Sequence, residues 1–217
     1  MQTPTPLPAL GDAVQTPAAV AAPRPAPPIG PRVLVEEIDP ETHLRDSAYL
    51  EIHGLLAGLA VGILHPWWRG SEKPQYVIAR AKPGGLKLVR LLSAVYGNPT
   101  SWDDRWRVAA AGELLFAAFA QEYASRVVLI MSPDHAETWY EISTLDYRAN
   151  LHALEMARDG TGMLMQLAKE ATQGYLYTTT DFGRTWQGPT PAAPAPAFVA
   201  DHLEVRSAAE LRAYLGG

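Results

Sequence analysis

Residues Thr179 to Trp186 read Thr-Thr-Asp-Phe-Gly-Arg-Thr-Trp, and such an octet leaves its backbone little choice. Asp181 carries a short carboxylate that can accept from turn amides, and Gly183 tolerates positive φ because it lacks a Cβ. Trp186 supplies a large apolar body that anchors the strand after the turn. A tight hairpin tip is the conformation that satisfies all three. Tyr175 to Thr180, with its aromatic and β-branched side chains, is the strand that enters it.

The octet fits the pattern Ser/Thr-x-Asp-x-Gly-x-Thr-Trp and resembles the Asp-box of sialidase-type β-propellers. The resemblance implies a structural hairpin that recurs once per blade on the outside of the fold, away from the central site. Here one copy fits and no repeat period is evident, so a propeller and sialidase chemistry are not expected.

The rest of the chain predicts an α+β fold, a mixed or antiparallel sheet covered by helices. Strands are expected at 32–38, 75–81, 126–131, 137–143, 175–180 and 202–205. Asp39-Pro40 has the chemistry of a helix start, and Leu44, Ala48, Ile52, Leu55, Leu59 and Ile63 keep helical spacing to about Leu64. In that reading Gly54, Gly58 and Gly62 form one stripe of a helix over which another backbone can approach closely; a β reading of 49–64 is its rival. Further helices are expected at 86–96, 102–124, 147–158 and 163–171, with a last one after Ser207.

Length and composition bound the class. The chain has 217 residues, 47% of them hydrophobic, enough for one domain at 32–217 with a real core. Met1 to Pro31 is rich in Pro and Ala, carries only Asp12 and Arg24 as charges, and has no apolar period; a disordered arm is expected there. Its scattered prolines do not fit a secretory signal, and a cytoplasmic location is expected. The apolar run at 54–64 is too short to span a bilayer. There are no cysteines, which removes disulfides, thiolate metal sites and cysteine nucleophiles.

Charge is segregated along the chain. Residues 66–107 hold eight basic side chains (Arg69, Lys73, Arg80, Lys82, Lys87, Arg90, Arg105 and Arg107) against Glu72, Asp103 and Asp104, although the whole chain has a formal net charge of −5. Trp67, Trp68, Tyr76, Tyr96, Trp102 and Trp106 are interleaved with them. This composition suits single-stranded nucleic acid, with cations for phosphates and aromatic faces for bases. The candidate binding residues are Trp67, Trp68, Arg69, Lys82, Lys87, Arg90, Arg105 and Arg107. The competing reading places the tryptophans in the core beneath Arg and Lys stems.

Catalytic signals are sparse. His152 and Glu155 have helical i, i+3 spacing, but one pair falls short of a metal site, and no metal or cofactor is expected. Asp134, His135 and Glu137 could form an acid/base cluster or a plain turn. Nucleophile-elbow, phosphate-loop and dinucleotide patterns are absent. The sequence therefore predicts a non-catalytic binding protein that engages nucleic acid. The alternatives are an assembly module that self-associates through the glycine stripe at 54–62, and an enzyme of unrecognised type.

Overall fold

The computed structural model describes residues 30–46, 49–56, 58–65, 74–82, 85–91, 106–121, 124–168, 171–194 and 203–216. Among these, the chain forms β1 (Arg32–Val33), β2 (Val35–Ile38), α1 (Pro40–Asp46), β3 (Tyr49–Leu56), β4 (Leu59–His65), β5 (Gln75–Lys82), β6 (Gly85–Leu91) and β7 (Trp106–Ala111). It continues through β8 (Leu114–Gln121), β9 (Arg126–Ser132), β10 (Trp139–Asp146), β11 (Asn150–Met156), β12 (Gly162–Leu167), β13 (Gly174–Thr179), β14 (Gln187–Ala192) and β15 (Leu203–Val205), and ends in α2 (Ala208–Gly216).

The fold is all-β, which corrects the expected α+β class. Three consecutive four-strand meanders, β3–β6, β7–β10 and β11–β14, form three antiparallel sheets. Short strands extend the first two. β15 pairs with β3 and β2 with β6 in the first sheet, and β1 pairs with β10 in the second.

The sheets stack face to face. Along β8, Leu115, Ala117 and Phe119 pack towards the first sheet's Val61, Ile63, Tyr76 and Ile78. The alternate residues Leu114, Phe116, Ala118 and Ala120 pack towards Leu151, Leu154, Leu164 and Tyr177 of the third. Phe116 and Phe119 are both 0% exposed, and burying each contributes about 1.5–3 kcal/mol. The first sheet's other face is covered by α1 and α2 through Leu44, Ala208 and Leu211, which meet Leu50, Ile52, Val77 and Leu88.

This layering explains the helices predicted in error. A strand buried on both faces loses its polar alternation and, over a short window, has the pattern of a buried helix. Residues 102–124 are the main case: their described part is the β7–β8 hairpin, and the high helix propensity of its alanines yields to tertiary burial. Residues 86–91, 150–156 and 162–167 are likewise strands. The expected helix at 39–64 keeps only its start, where Asp39 caps α1 by accepting from the Thr42 amide at 2.9 Å. The rest is the β3–β4 hairpin, so the glycine stripe does not exist: Gly54 lies in β3, Gly58 has φ 77° in the connecting turn, and Gly62 lies in β4.

The β13–β14 tip has the expected geometry. Thr179 Oγ1 donates to Asp181 Oδ1 at 2.8 Å and accepts from the Gly183 amide at 3.0 Å. Asp181 in turn accepts from the Thr185 amide and hydroxyl at 2.9 and 2.7 Å. The tip is not alone. Ser132-Pro-Asp-His-Ala-Glu-Thr-Trp139, between β9 and β10, makes the same four bonds 47 positions earlier. There Ser132 Oγ donates to Asp134 at 3.0 Å and accepts from the Ala136 amide at 2.9 Å, and Asp134 accepts from the Thr138 amide and hydroxyl at 2.8 and 2.6 Å. The expectation of one copy without a repeat is corrected. Alanine in the glycine position hides the first copy from a literal pattern.

Candidate functional site

Strand direction sorts the molecule into two ends. β3, β5, β7, β9, β11 and β13 all start at one end, where Tyr49 pairs with His65, Arg126 with Gln121 and Asn150 with Leu167. Both hairpin tips sit at the other. Asp134, His135 and Glu137, the suggested acid/base cluster, therefore belong to a structural tip. Burial pushes the Asp134 carboxyl up, but bonds from Thr138 and Ser132 outweigh it and leave its pKa lowered. Asp181 follows the same logic through Thr185 and Thr179.

The predicted nucleic-acid residues divide between the ends. Lys82 and Lys87 lie towards the tips, on the β5–β6 hairpin. Lys87 is already paired with Glu37 at 2.6 Å. Arg107 lies at the starting end of β7, and Arg90 near the same end of β6. Trp67, Trp68, Arg69 and Arg105 fall outside the described residues, as does Trp102; the residues that flank their segments, His65, Pro74, Leu91 and Trp106, belong to the starting end. Trp106 and Tyr76 are core residues, 3% exposed each, with ring centroids 4.7 Å apart. For these two aromatics the packing alternative holds.

Among the described residues, two groups of polar side chains occupy the starting end. The first spans the second and third sheets. Arg107 crosses between them, its Nε donating to the His152 carbonyl at 3.0 Å and its Nη1 to the Trp106 carbonyl at 2.6 Å. Arg126 is exposed at the start of β9, where its Nε donates to Gln121 at 2.7 Å. Arg148, in the short link between β10 and β11, lies 5.6 Å over the ring of Tyr175, which is 40% exposed. Its guanidinium pKa is raised, first by a hydrogen bond with Tyr177 and then by the charges of Tyr177 and Asp146. Asp146, 3.4 Å from Arg148, is the acidic residue among them.

That link has a built support. The buried Gln166 side chain accepts from the Arg148 and Ala149 amides at 2.7 and 3.2 Å, and donates to the Asp146 carbonyl at 2.8 Å. Tyr147 donates to Asn150 at 3.0 Å. Arg126 and Arg148 were missed in the sequence because no basic run surrounds them; the β8–β9 pairing places Arg126 at the starting end of the second sheet, and the link at 146–149 places Arg148 against Tyr175 of the third.

The second group lies on the first sheet. Glu51 is bonded to His65 Nε2 at 2.8 Å and stands 3.7 Å from His53 Nε2. His65 stacks on Tyr49 at 4.5 Å, and Arg206 lies over the Tyr49 ring at 5.6 Å while pairing with Glu204 at 2.8 Å. Burial raises the Tyr49 pKa, helped by the charges of Glu51 and Glu204. These groups are largely satisfied by one another and tie β15 to the β3–β4 hairpin. His152 and Glu155 lie on a strand rather than a helix. Among the described residues no cluster of three His, Cys, Asp or Glu could hold a metal ion, and no helix is long and apolar enough to cross a membrane.

No family model and no curated protein matches the chain. Among solved structures it is similar to the Hadza microbial sialidase Hz136, at 20% identity and a TM-score of 0.39. The similarity covers 60% of this chain and 30% of that protein. A likeness of this strength assigns neither a fold family nor an activity.

Proposed function

We propose that this protein is a non-catalytic binding module that takes single-stranded nucleic acid across the starting ends of the second and third sheets. The observation that carries the proposal is the stack of the Arg148 guanidinium on exposed Tyr175, with Arg107 and Arg126 on neighbouring strands. Arginines there attract phosphates, and an exposed tyrosine beside them offers a face on which a base can stack, an interaction of about 1–3 kcal/mol per base. Duplex is disfavoured, because its bases are stacked on one another and out of reach of Tyr175.

Fluorescence anisotropy of labelled oligonucleotides tests this directly. Single strands are expected to bind at about 50 mM salt and to weaken steeply by about 200 mM, as counterion release requires. Arg126→Glu with Arg148→Glu should abolish that binding, while Lys87→Glu at the opposite end should leave it intact. Absence of binding at low salt, or equal effects of both changes, would remove the proposal.

A further inference from the structure

Asp146 puts a negative charge in the middle of the surface proposed to attract phosphates. It is held there by its backbone. β10 ends at Asp146, whose carbonyl accepts from the buried Gln166 amide at 2.8 Å and from the Tyr177 hydroxyl at 3.5 Å. The register pairs Asp146 with Arg126 of β9, and its carboxylate lies 3.4 Å from Arg148 Nη2. Directly paired residues of an antiparallel ladder share a face, with Cβ atoms roughly 5 Å apart. The carboxylate is therefore a neighbour of both arginines that the binding reading assigns to phosphates. Its side chain is 77% exposed and that of Arg148 42%, so a ligand can reach both.

We infer that Asp146 is a selectivity residue of this surface: it occupies Arg148 in the free protein, so that oligonucleotides bind and mononucleotides do not. This rests on the single-strand reading above. A mononucleotide whose phosphate reaches Arg148 exchanges one anion for another. The displaced carboxylate cannot leave, because Gln166 and Tyr177 hold its backbone, and it repels the incoming phosphate. What remains to a mononucleotide is one base stacked on Tyr175, which alone falls short of millimolar affinity. An oligonucleotide adds contacts that no exchange cancels, since its further phosphates reach Arg126.

The magnitude suits a filter rather than a lock. An exposed ion pair holds weakly, so Asp146 yields Arg148 to a ligand that brings enough further contacts. Two like charges about 4 Å apart in water shift an equilibrium about fivefold. Salt screens this repulsion together with the attraction of the arginines, so the filter is sharpest where binding is strongest. An alternative role for Asp146, aiming Arg148 at Tyr175, has the opposite sign: its removal would then weaken binding.

Fluorescence anisotropy of a labelled oligothymidylate on the full chain, with thymidine monophosphate as competitor, tests the sign. At about 50 mM salt, Asp146→Asn is expected to bind the oligonucleotide about fivefold more tightly than wild type, with the gap closing towards about 200 mM. Millimolar thymidine monophosphate should displace it from Asp146→Asn and not from wild type. Glu113→Gln makes the same change of net charge at an exposed position in the turn between β7 and β8, at the tip end, and should match wild type. Both Asp146→Asn and Asp146→Ser keep the carbonyl that Gln166 and Tyr177 hold; if far-UV circular dichroism shows that the first does not fold, the second decides. Equal or weaker binding by the Asp146 variants overturns the inference, while wild-type binding keeps the single-strand reading. An equal gain from Glu113→Gln, or equal competition by the monophosphate against wild type, also overturns it. If neither wild type nor the Asp146 variants bind at low salt, the reading and the inference fall together.

Discussion

Ala136 stands in the first hairpin tip where Gly183 stands in the second, and both hold positive φ, 67° and 77°. The same fold position is thus filled once with a strained residue and once with an unstrained one. Relaxing the first should help: Ala136→Gly is expected to stabilise the protein by about 0.5–1 kcal/mol, because glycine adopts this conformation without a Cβ penalty. At Gly183 the opposite holds twice over. Its φ disfavours a side chain, and a Cβ there would run into Leu129. Gly183→Val should therefore cost more than a kcal/mol. Thermal melts of the two variants check both signs. Destabilisation by Ala136→Gly would mean that glycine's larger unfolded-state entropy outweighs the relief of strain.

Acid should act through both tips. Asp134 and Asp181 have lowered pKa values in the fold, so the unfolded chain binds their protons more readily. Their stabilisation is complete above the ordinary carboxylate value, about 3.9, and is lost as pH falls through the lowered folded values. Asp134→Asn with Asp181→Asn should reduce stability at neutral pH and flatten its decline below about pH 4. Urea melts at pH 7, 4 and 3 follow this, and parallel pH profiles for variant and wild type would show that the tips do not carry the acid sensitivity.

Arg80 joins the first sheet to the tip of the second. It is buried, with 2.7 Å to Glu37, 3.4 Å to Glu137 and 3.2 Å to the His135 carbonyl. Its two carboxylate partners are about half exposed, so removing the guanidinium leaves them to water rather than stranding them in the interior. Arg80→Met keeps the apolar stem and is expected to cost about 1.5–3 kcal/mol, the range for hydrogen bonds to charged groups. Lys87→Met removes an exposed partner of the same Glu37 and should cost less than about 1 kcal/mol. Equal losses in chemical denaturation would place the stabilisation in Glu37 rather than in the link between sheets.

How far the sequence could be trusted varied with burial. Val127 to Met131 and Tyr175 to Thr179 were legible as strands because β-branched and aromatic residues dominate them. The Asp-box hairpin was legible because its constraints are local. Leu114 to Gln121 was not, since a middle layer is apolar on both faces and its alanines favour a helix when neighbours are ignored. The first tip escaped because one methyl group replaces a hydrogen at position 136. At the candidate site Arg107 was legible from the basic block, whereas Arg148 and Tyr175 are separated in sequence and meet only because the link at 146–149 lies against β13, and Arg126 reaches the same end through the register of β8 and β9.

Gln166 couples stability to the proposed binding surface. Its buried amide serves three backbone groups in the link that carries Arg148. Leucine in its place fills most of the volume but strands the Ala149 and Arg148 amides, at about 1–3 kcal/mol for each group that water cannot reach, and leaves the Asp146 carbonyl with the Tyr177 hydroxyl at 3.5 Å. Gln166→Leu should therefore lower stability by more than Arg80→Met and also weaken single-strand binding, because Arg148 loses the backbone that aims it at Tyr175. Gln166→Glu keeps the acceptor for both amides and loses the donor, so its defect should be intermediate in both measurements. Denaturation and anisotropy on the same protein preparations compare the two effects. A stability loss with unchanged binding would show that the 146–149 link does not position the ligand-facing arginine, and would shift the proposed contact to Arg107 and Arg126.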